Sequence, residues 1–315
     1  YKSIVYSRVN YIMIIEKVPV ALQPKYKSTY PIYSCGYNLE EIYYHYFLKH
    51  KDKIQIDRIY LPVFWTSYYI INGYGERISE SYKWLNQLDK NKKYFTVVQY
   101  ASGIYIPPEY DLDIIVFTAG GGGLNKKSDC THIEKYYGYT QHIFHGKKGD
   151  IVIPLMCLPL FPSIDCKKDI FCSFMGRYNT HKCRCVMKEI LQTNPKYQFF
   201  DVKGYDEYRS IVNRSIFTLA PRGFGYTSFR LYEAILVESI PIYIWEDKKV
   251  LPFEDEIDWS SFSIVIHTSE IKDLPEMLEQ VNVEEYVNNL RKIKSLFHIE
   301  ETFHRIKGNL KVRGT

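Results

Sequence analysis

Short apolar runs alternate along the chain with longer segments in which apolar positions recur every three or four residues. Two stretches, Ile4–Tyr6 and Tyr11–Ile15, are expected to pair as a hairpin at the edge of the first half. Pro31–Tyr33 reads as a short strand, and Asn38, with Glu40 and Glu41 behind it, opens a helix reaching about His50. Ile54–Val63 alternates like a strand, a Tyr- and Gly-rich loop follows, and a helix falls near Ile78–Leu88. Tyr94–Tyr100 and Ile114–Thr118 are further strands.

The second half repeats the alternation. Strands are expected at Phe171–Phe174, Tyr197–Phe200, Ile216–Ala220, Ile240–Ile244 and Phe262–Ile266. Helices are expected at His181–Leu191, Tyr205–Asn213, Ser228–Glu238, Leu274–Val281 and Val283–Ile306. Strands alternating with helices point to parallel sheets and an α/β fold of the doubly wound kind. The proline-punctuated stretch 149–162 reads as a connection, which divides the chain into Rossmann-like domains at 1–150 and 151–315. The final helix is placed to pack back on the first domain.

Hydrophobic residues make up 46% of the 315 positions and charged residues 24%, which excludes disorder, collagen and coiled coil. The longest apolar run, Ile151–Phe161, is broken by prolines and falls short of the roughly 18 residues a membrane span needs. No charged-then-apolar signal opens the chain, although Tyr rather than Met stands first, so an upstream anchor is compatible with it. A net charge of +5 is too mild to argue for nucleic acid and fits a small anionic ligand such as a nucleotide. The 30 tyrosines go with abundant Ile, Lys and Asn, as low-GC coding produces, and they also suit a cleft that packs sugar faces on rings. Seven cysteines, irregularly spaced, do not form a secreted disulfide framework and point to a reducing compartment. Cys166, Cys172, Cys183 and Cys185 cluster without a recurring zinc spacing and read as structural thiols.

In open α/β sheets ligands sit beyond the carboxyl ends of the strands. This makes residues 216–244 the most informative segment. The strand Ile216–Ala220 runs into Pro221-Arg222-Gly223-Phe224-Gly225, and a helix begins near Thr227 or Ser228. Unpaired N–H groups and a positive dipole end make such a helix start a site for phosphate. Gly223 and Gly225 permit close backbone approach, Arg222 and Arg230 supply charge-assisted bonds, and Glu233 suits ribose hydroxyls. The same features also read as a common Gly-rich turn with a surface Arg230–Glu233 ion pair.

The ordered strings 215–223, Ser228-Phe229-Arg230-Leu231-Tyr232-Glu233-Ala234, Ile240-Pro241-Ile242-Tyr243, Leu251-Pro252-Phe253 and 257–263 resemble the exostosin-type glycosyltransferases of family 47. Phe174–Arg177, Asp150–Pro154 and Tyr43–Phe47 match more loosely. The resemblance is strong over about 150–290 and faint over 31–150. It implies a GT-B fold, two Rossmann-like domains facing each other across a cleft, with a UDP-sugar donor on the C-terminal domain and a glycan acceptor on the N-terminal one. It also implies transfer with inversion. Carried over by position, Arg222, Ser228, Arg230 and Glu233 bind the donor, with Arg177 a further phosphate contact. Xylose is the expected donor sugar. Soluble relatives from large algal viruses suggest a cytoplasmic location, and Golgi-anchored relatives the Golgi lumen.

Inverting transfer needs a base for the acceptor hydroxyl and cationic or N–H donors for the departing diphosphate. Candidates for the base, on first-domain loops, are Glu76, Glu109 and Asp129, each equally readable as a solvated carboxylate. Trp65, Tyr68, Tyr69 and Tyr105 are candidate acceptor contacts, with His142 and His145 as outside choices, while Trp65 reads equally as core. Asp111 and Asp113 precede the apolar run Ile114–Phe117, so they lie at the strand's amino end and not where a metal-binding Asp-x-Asp closes a strand. Two arginines and a helix dipole make a metal unnecessary for the diphosphate, and no other cofactor is expected. The Gly120–Gly123 run reads as a flexible loop or an anion cradle. A catalytically silent exostosin-like partner or carbohydrate-binding domain is the alternative; a Rossmann oxidoreductase is disfavoured because no early strand leads into G-x-G-x-x-G.

Overall fold

The computed structural model describes residues 12–27, 36–74, 77–106, 110–125, 131–136, 139–144, 149–155, 163–201 and 204–310. The expected strand at 31–33 and the stretch 4–6 lie outside these residues, as do Glu76, Glu109, Asp129, His145, Cys35, Cys130 and Cys157. No described helix is long and apolar enough to cross a membrane.

In the first half, α1 (Leu39–His50) begins where expected, behind Asn38. It is followed by β1 (Ile59–Tyr60), α2 (Trp65–Ile71), α3 (Ser79–Leu85), β2 (Lys93–Val98), β3 (Ile104–Tyr105), β4 (Asp113–Thr118) and β5 (Leu124–Asn125). A hairpin of β6 (Thr131–Tyr136) and β7 (Tyr139–Phe144) leads to β8 (Ile151–Val152). Strands β1, β2, β4 and β8 form one parallel sheet in that order, and β3 pairs with β5. The stretch from Ile12 bridges Gln55 and Tyr60, which attaches it beside β1. The strand expected over 54–63 shrinks to β1, and on its carboxyl side Pro62 has no N–H to continue a ladder.

The second half holds β9 (Ile170–Met175), α4 (Lys182–Leu191), β10 (Tyr197–Phe200), α5 (Tyr205–Arg214), β11 (Ser215–Pro221), α6 (Phe229–Leu236), β12 (Ile240–Trp245) and β13 (Ile264–His267). These strands form a second parallel sheet ordered β10-β9-β11-β12-β13. Near-continuous burial of β11 and β12 fits strands covered on both faces. The strand order reverses between β9 and β11, and such a switch point opens a crevice at the carboxyl ends of the two strands.

Three expectations are corrected. The first sheet extends past the boundary at 150, because β8 pairs with β4 and the Asp150 carboxylate accepts the Val116 N–H at 2.8 Å. The single helix expected over 283–306 divides into α8 (Val283–Ile293) and α9 (Ile299–Leu310), after α7 (Leu274–Glu279). Between them a 3-10 turn, Lys294–Phe297, sends the Phe297 ring toward Tyr232 and Trp259 and swings α9 toward the first half. There the Phe303 ring packs, tilted, 4.3 Å from Tyr46 and 5.3 Å from Phe47, ring centroid to centroid. Third, Trp65, Tyr68 and Tyr69 stand on α2 rather than on a loop and are buried.

The two sheets meet at their carboxyl edges. The Tyr226 N–H, past β11, donates to the Gly120 carbonyl, past β4, at 3.1 Å. This is the GT-B arrangement that the resemblance implies. A Cβ on Gly225 would lie 2.6 Å from the Gly120 oxygen, and one on Gly121 (φ +97°) 2.6 Å from the Tyr226 ring. The glycine run is therefore neither a loose flap nor an open cradle: it is a buried backbone surface against which the second half packs.

Candidate functional site

Two helix N-termini converge at the switch point. His181 caps α4, its Nδ1 accepting the Cys183 N–H at 3.3 Å, and Ser228 caps α6. Between β11 and α6 the turn closes through the Gly223 N–H to the Thr227 carbonyl at 3.1 Å, with Phe224 half exposed at its tip. Positive dipole ends at both helix starts favour an anion above this turn.

Arg184, which sequence reasoning missed, ties the turn to the β9–α4 loop. Its Nε donates to the Arg222 carbonyl at 2.8 Å, one terminal nitrogen to the Arg177 carbonyl at 2.8 Å and the other to the Pro221 carbonyl at 3.2 Å. Arg230 reaches back across α6 to donate to the Met175 carbonyl, its guanidinium 4.8 Å from the Phe174 ring centroid and 5.6 Å from that of Tyr208. Gly176 makes room for it, since a Cβ there would meet Arg230 Nη2 at 2.5 Å.

The expected donor residues therefore play unequal parts. Arg177 is exposed at the end of β9. The Gly223 N–H closes the turn, and the Ser228 side chain caps α6. Arg222 is only 1% exposed: Nη1 bonds Asp247 Oδ2 at 2.6 Å and the Glu246 carbonyl at 3.1 Å, so its charge is engaged inside the protein. Glu233 is wholly buried and accepts a short bond from the Tyr208 hydroxyl, which rules out a surface pair with Arg230. His181 is driven down to about 2 by burial, then by the Arg222, Lys182 and Arg184 charges, and stays neutral. Together with Glu246 and Cys183 it forms the one described group of side chains arranged to hold a metal.

On the facing edge of the first sheet the acceptor candidates move inward. The Trp65 Nε1–H donates to Thr96 Oγ1 at 2.9 Å, and the Tyr69 hydroxyl accepts the Tyr105 N–H at 3.1 Å. With their polar ends satisfied in the core, they are packing residues, not an acceptor platform. Asp113, flanking the amino end of β4, pairs with Arg58 at 2.7 Å. The edge itself is polar because of Glu40 and Glu41. Glu40 Oε1 accepts the Thr66 N–H, the Thr66 hydroxyl and the Gln99 N–H at 3.1, 2.8 and 2.9 Å, and burial raises its pKa. Burial, with the Glu40 charge adding to it, pushes Glu41 up to about 7 against the opposing Asn38 N–H. Two acidic residues opening a helix read equally well as dipole partners, so sequence alone carried no signal of this burial.

Residues 138–281 match the Exostosin GT47 domain. The chain is 31% identical over 140 residues to a probable glucuronosyltransferase of Oryza sativa subsp. japonica, covering 41% of this chain and 33% of that protein. It is 38% identical over 80 residues to the Exostosin-1 homolog of Caenorhabditis elegans, covering 25% and 21%. The match to the rice protein thus spans about a third of its length. Among solved structures, TarM is similar at 11% identity, 73% coverage of this chain, 52% of that one and a TM-score of 0.41. The matched segment contains β9, β11, α6 and the turn between them, so the part of the chain that is similar to the Exostosin GT47 domain is the part that builds the switch point.

Proposed function

We propose that the chain moves a sugar, xylose as the first choice, from a UDP-sugar to a hydroxyl of a glycan acceptor, with inversion at the anomeric carbon. The observation that carries this reading is the meeting of two helix N-termini with the exposed Arg177 at the switch point of the second sheet. The diphosphate lies above the 222–227 turn, where the N–H groups of α6, Arg177 and the nearby Arg230 oppose the charge left as the C1–O bond breaks. Arg222 acts from behind, shaping the turn through Asp247. The base for the acceptor hydroxyl is assigned to the first half, among Glu76, Glu109 and Asp129. The name of the rice relative makes UDP-glucuronate the second donor to test.

One observation favours the alternative, a catalytically silent domain: Arg222 and Glu233 are both spent on internal partners. UDP release from UDP-xylose, UDP-glucuronate and UDP-N-acetylglucosamine, alongside thermal shifts with UDP and NAD, separates the two readings. Transfer predicts stabilisation by UDP but not NAD and release from at least one donor. Binding without release supports the silent domain, and no shift with any UDP species contradicts both.

A further inference from the structure

We propose that His181, Cys183 and Glu246 form a buried site for a divalent transition-metal cation of the zinc type, seated behind the 222–227 turn. Each side chain offers one ligand atom, and the three atoms lie within 4.8 Å of one another. His181 Nδ1 and Glu246 Oε2 stand 3.7 Å apart, close to the ligand spacing of a tetrahedral zinc centre. His181 is 1% exposed and Cys183 is fully buried.

Two polar atoms here lack a hydrogen-bond partner although they are buried: His181 Nε2 and Glu246 Oε2. Unsatisfied atoms of this kind call for an explanation, and a cation at the centre of the group supplies one for the carboxylate oxygen directly. It also orients the ring. Nδ1 binds the metal in place of the Cys183 N–H that it accepts in the metal-free chain, and the proton then sits on Nε2, with Asp247 Oδ2 3.9 Å away.

Arg222, Lys182 and Arg184 stand around the group, and the Glu246 and Asp247 carboxylates offset part of their charge. Lys182 Nζ takes Glu246 Oε1 at 3.1 Å and Arg222 takes Asp247, so each carboxylate is half neutralised and Oε2 is left for the centre. Cys183 enters as thiolate, losing its proton to solvent as the metal–sulfur bond forms. A nitrogen, a sulfur and one oxygen suit zinc or cobalt and disfavour magnesium or calcium, which take oxygen sets. Bound there, the metal joins the first turn of α4 to the end of β12 and fixes the Arg222–Asp247 pair from behind. This role is separate from any metal on the diphosphate.

Cobalt(II) titration of the chelator-stripped chain tests the site without reference to activity. The expected result is one equivalent bound, with a thiolate-to-cobalt charge-transfer band that zinc abolishes. Cys183→Ser should lose the band while keeping the native near-ultraviolet circular dichroism, whereas Cys185→Ser and Cys166→Ser keep it. A folded wild-type chain without the band overturns the proposal, as does a band that survives in Cys183→Ser. Should Cys183→Ser fail to fold, Glu246→Gln serves in its place, with weakened cobalt binding expected and unchanged binding contradictory.

Discussion

Arg222 Nη1 and Asp247 Oδ2 lie 2.6 Å apart, the arginine side chain 1% exposed and the aspartate 35%. Asp247 follows β12 and Arg222 follows β11, so the pair joins two neighbouring strand ends directly behind the turn. Removing the carboxylate leaves a buried guanidinium short of a charged partner. Asp247→Asn is expected to cost about 1.5–3 kcal/mol in urea unfolding. A double-mutant cycle with Arg222→Met should show coupling between the sites, and additive losses would contradict a functional pair.

Gly176 gives a sharper test of the donor side. Gly176→Ala places a methyl 2.5 Å from Arg230 Nη2 and displaces the guanidinium from the Met175 carbonyl. UDP affinity is expected to fall about tenfold, ~1.4 kcal/mol, with little change in melting temperature. Unchanged affinity removes Arg230 from the donor site.

Gly121 tests the contact between the two sheets. Its φ of +97°, and a Tyr226 ring only 2.6 Å from where a Cβ would stand, leave no room for a side chain. Gly121→Ala is expected to destabilise the chain by roughly 1–3 kcal/mol through backbone strain and a forced Tyr226 shift. Differential scanning calorimetry reads the loss, and a neutral result would mean that the sheets meet otherwise.

Two buried groups set opposite pH dependences. His181, lowered from 6.5 to about 2, binds fewer protons in the native than in the unfolded state, so its contribution is lost as pH falls through that window. Glu41, raised from 4.5 to about 7, binds more protons in the native state, so stability falls as pH rises between those values. The stability of Glu41→Gln relative to wild type should therefore increase from pH 4.5 to 7, and that of His181→Asn, with both proteins stripped of metal by chelator, should decrease from pH 4 to 6.5. Parallel pH curves for variant and wild type contradict the assignments.

Legibility follows the range of the forces involved. Tyr197–Phe200 as a strand, Asn38 as a cap and the Ile114–Thr118 run depend on local patterning, and the sequence reading and the structure coincide there. Helix α2 reads as a loop in the sequence because Trp65, Tyr68 and Tyr69 have modest helix propensity; their burial among Thr96, Ser81 and Tyr105 overrides it. The internal engagement of Arg222 depends on a partner 25 residues away, brought close only by the register of β11 on β12. Arg184 looks like any polar residue on α4 until the β9–α4 loop and the 222–227 turn lie side by side.

The central claim is that the crevice between β9 and β11 holds the diphosphate of an activated sugar. Isothermal titration of wild type and Arg230→Ala with UDP tests it most directly. The account predicts one site per wild-type chain and no measurable heat from a folded Arg230→Ala variant. Equal affinity in the two proteins, or no UDP binding by the wild type, contradicts it.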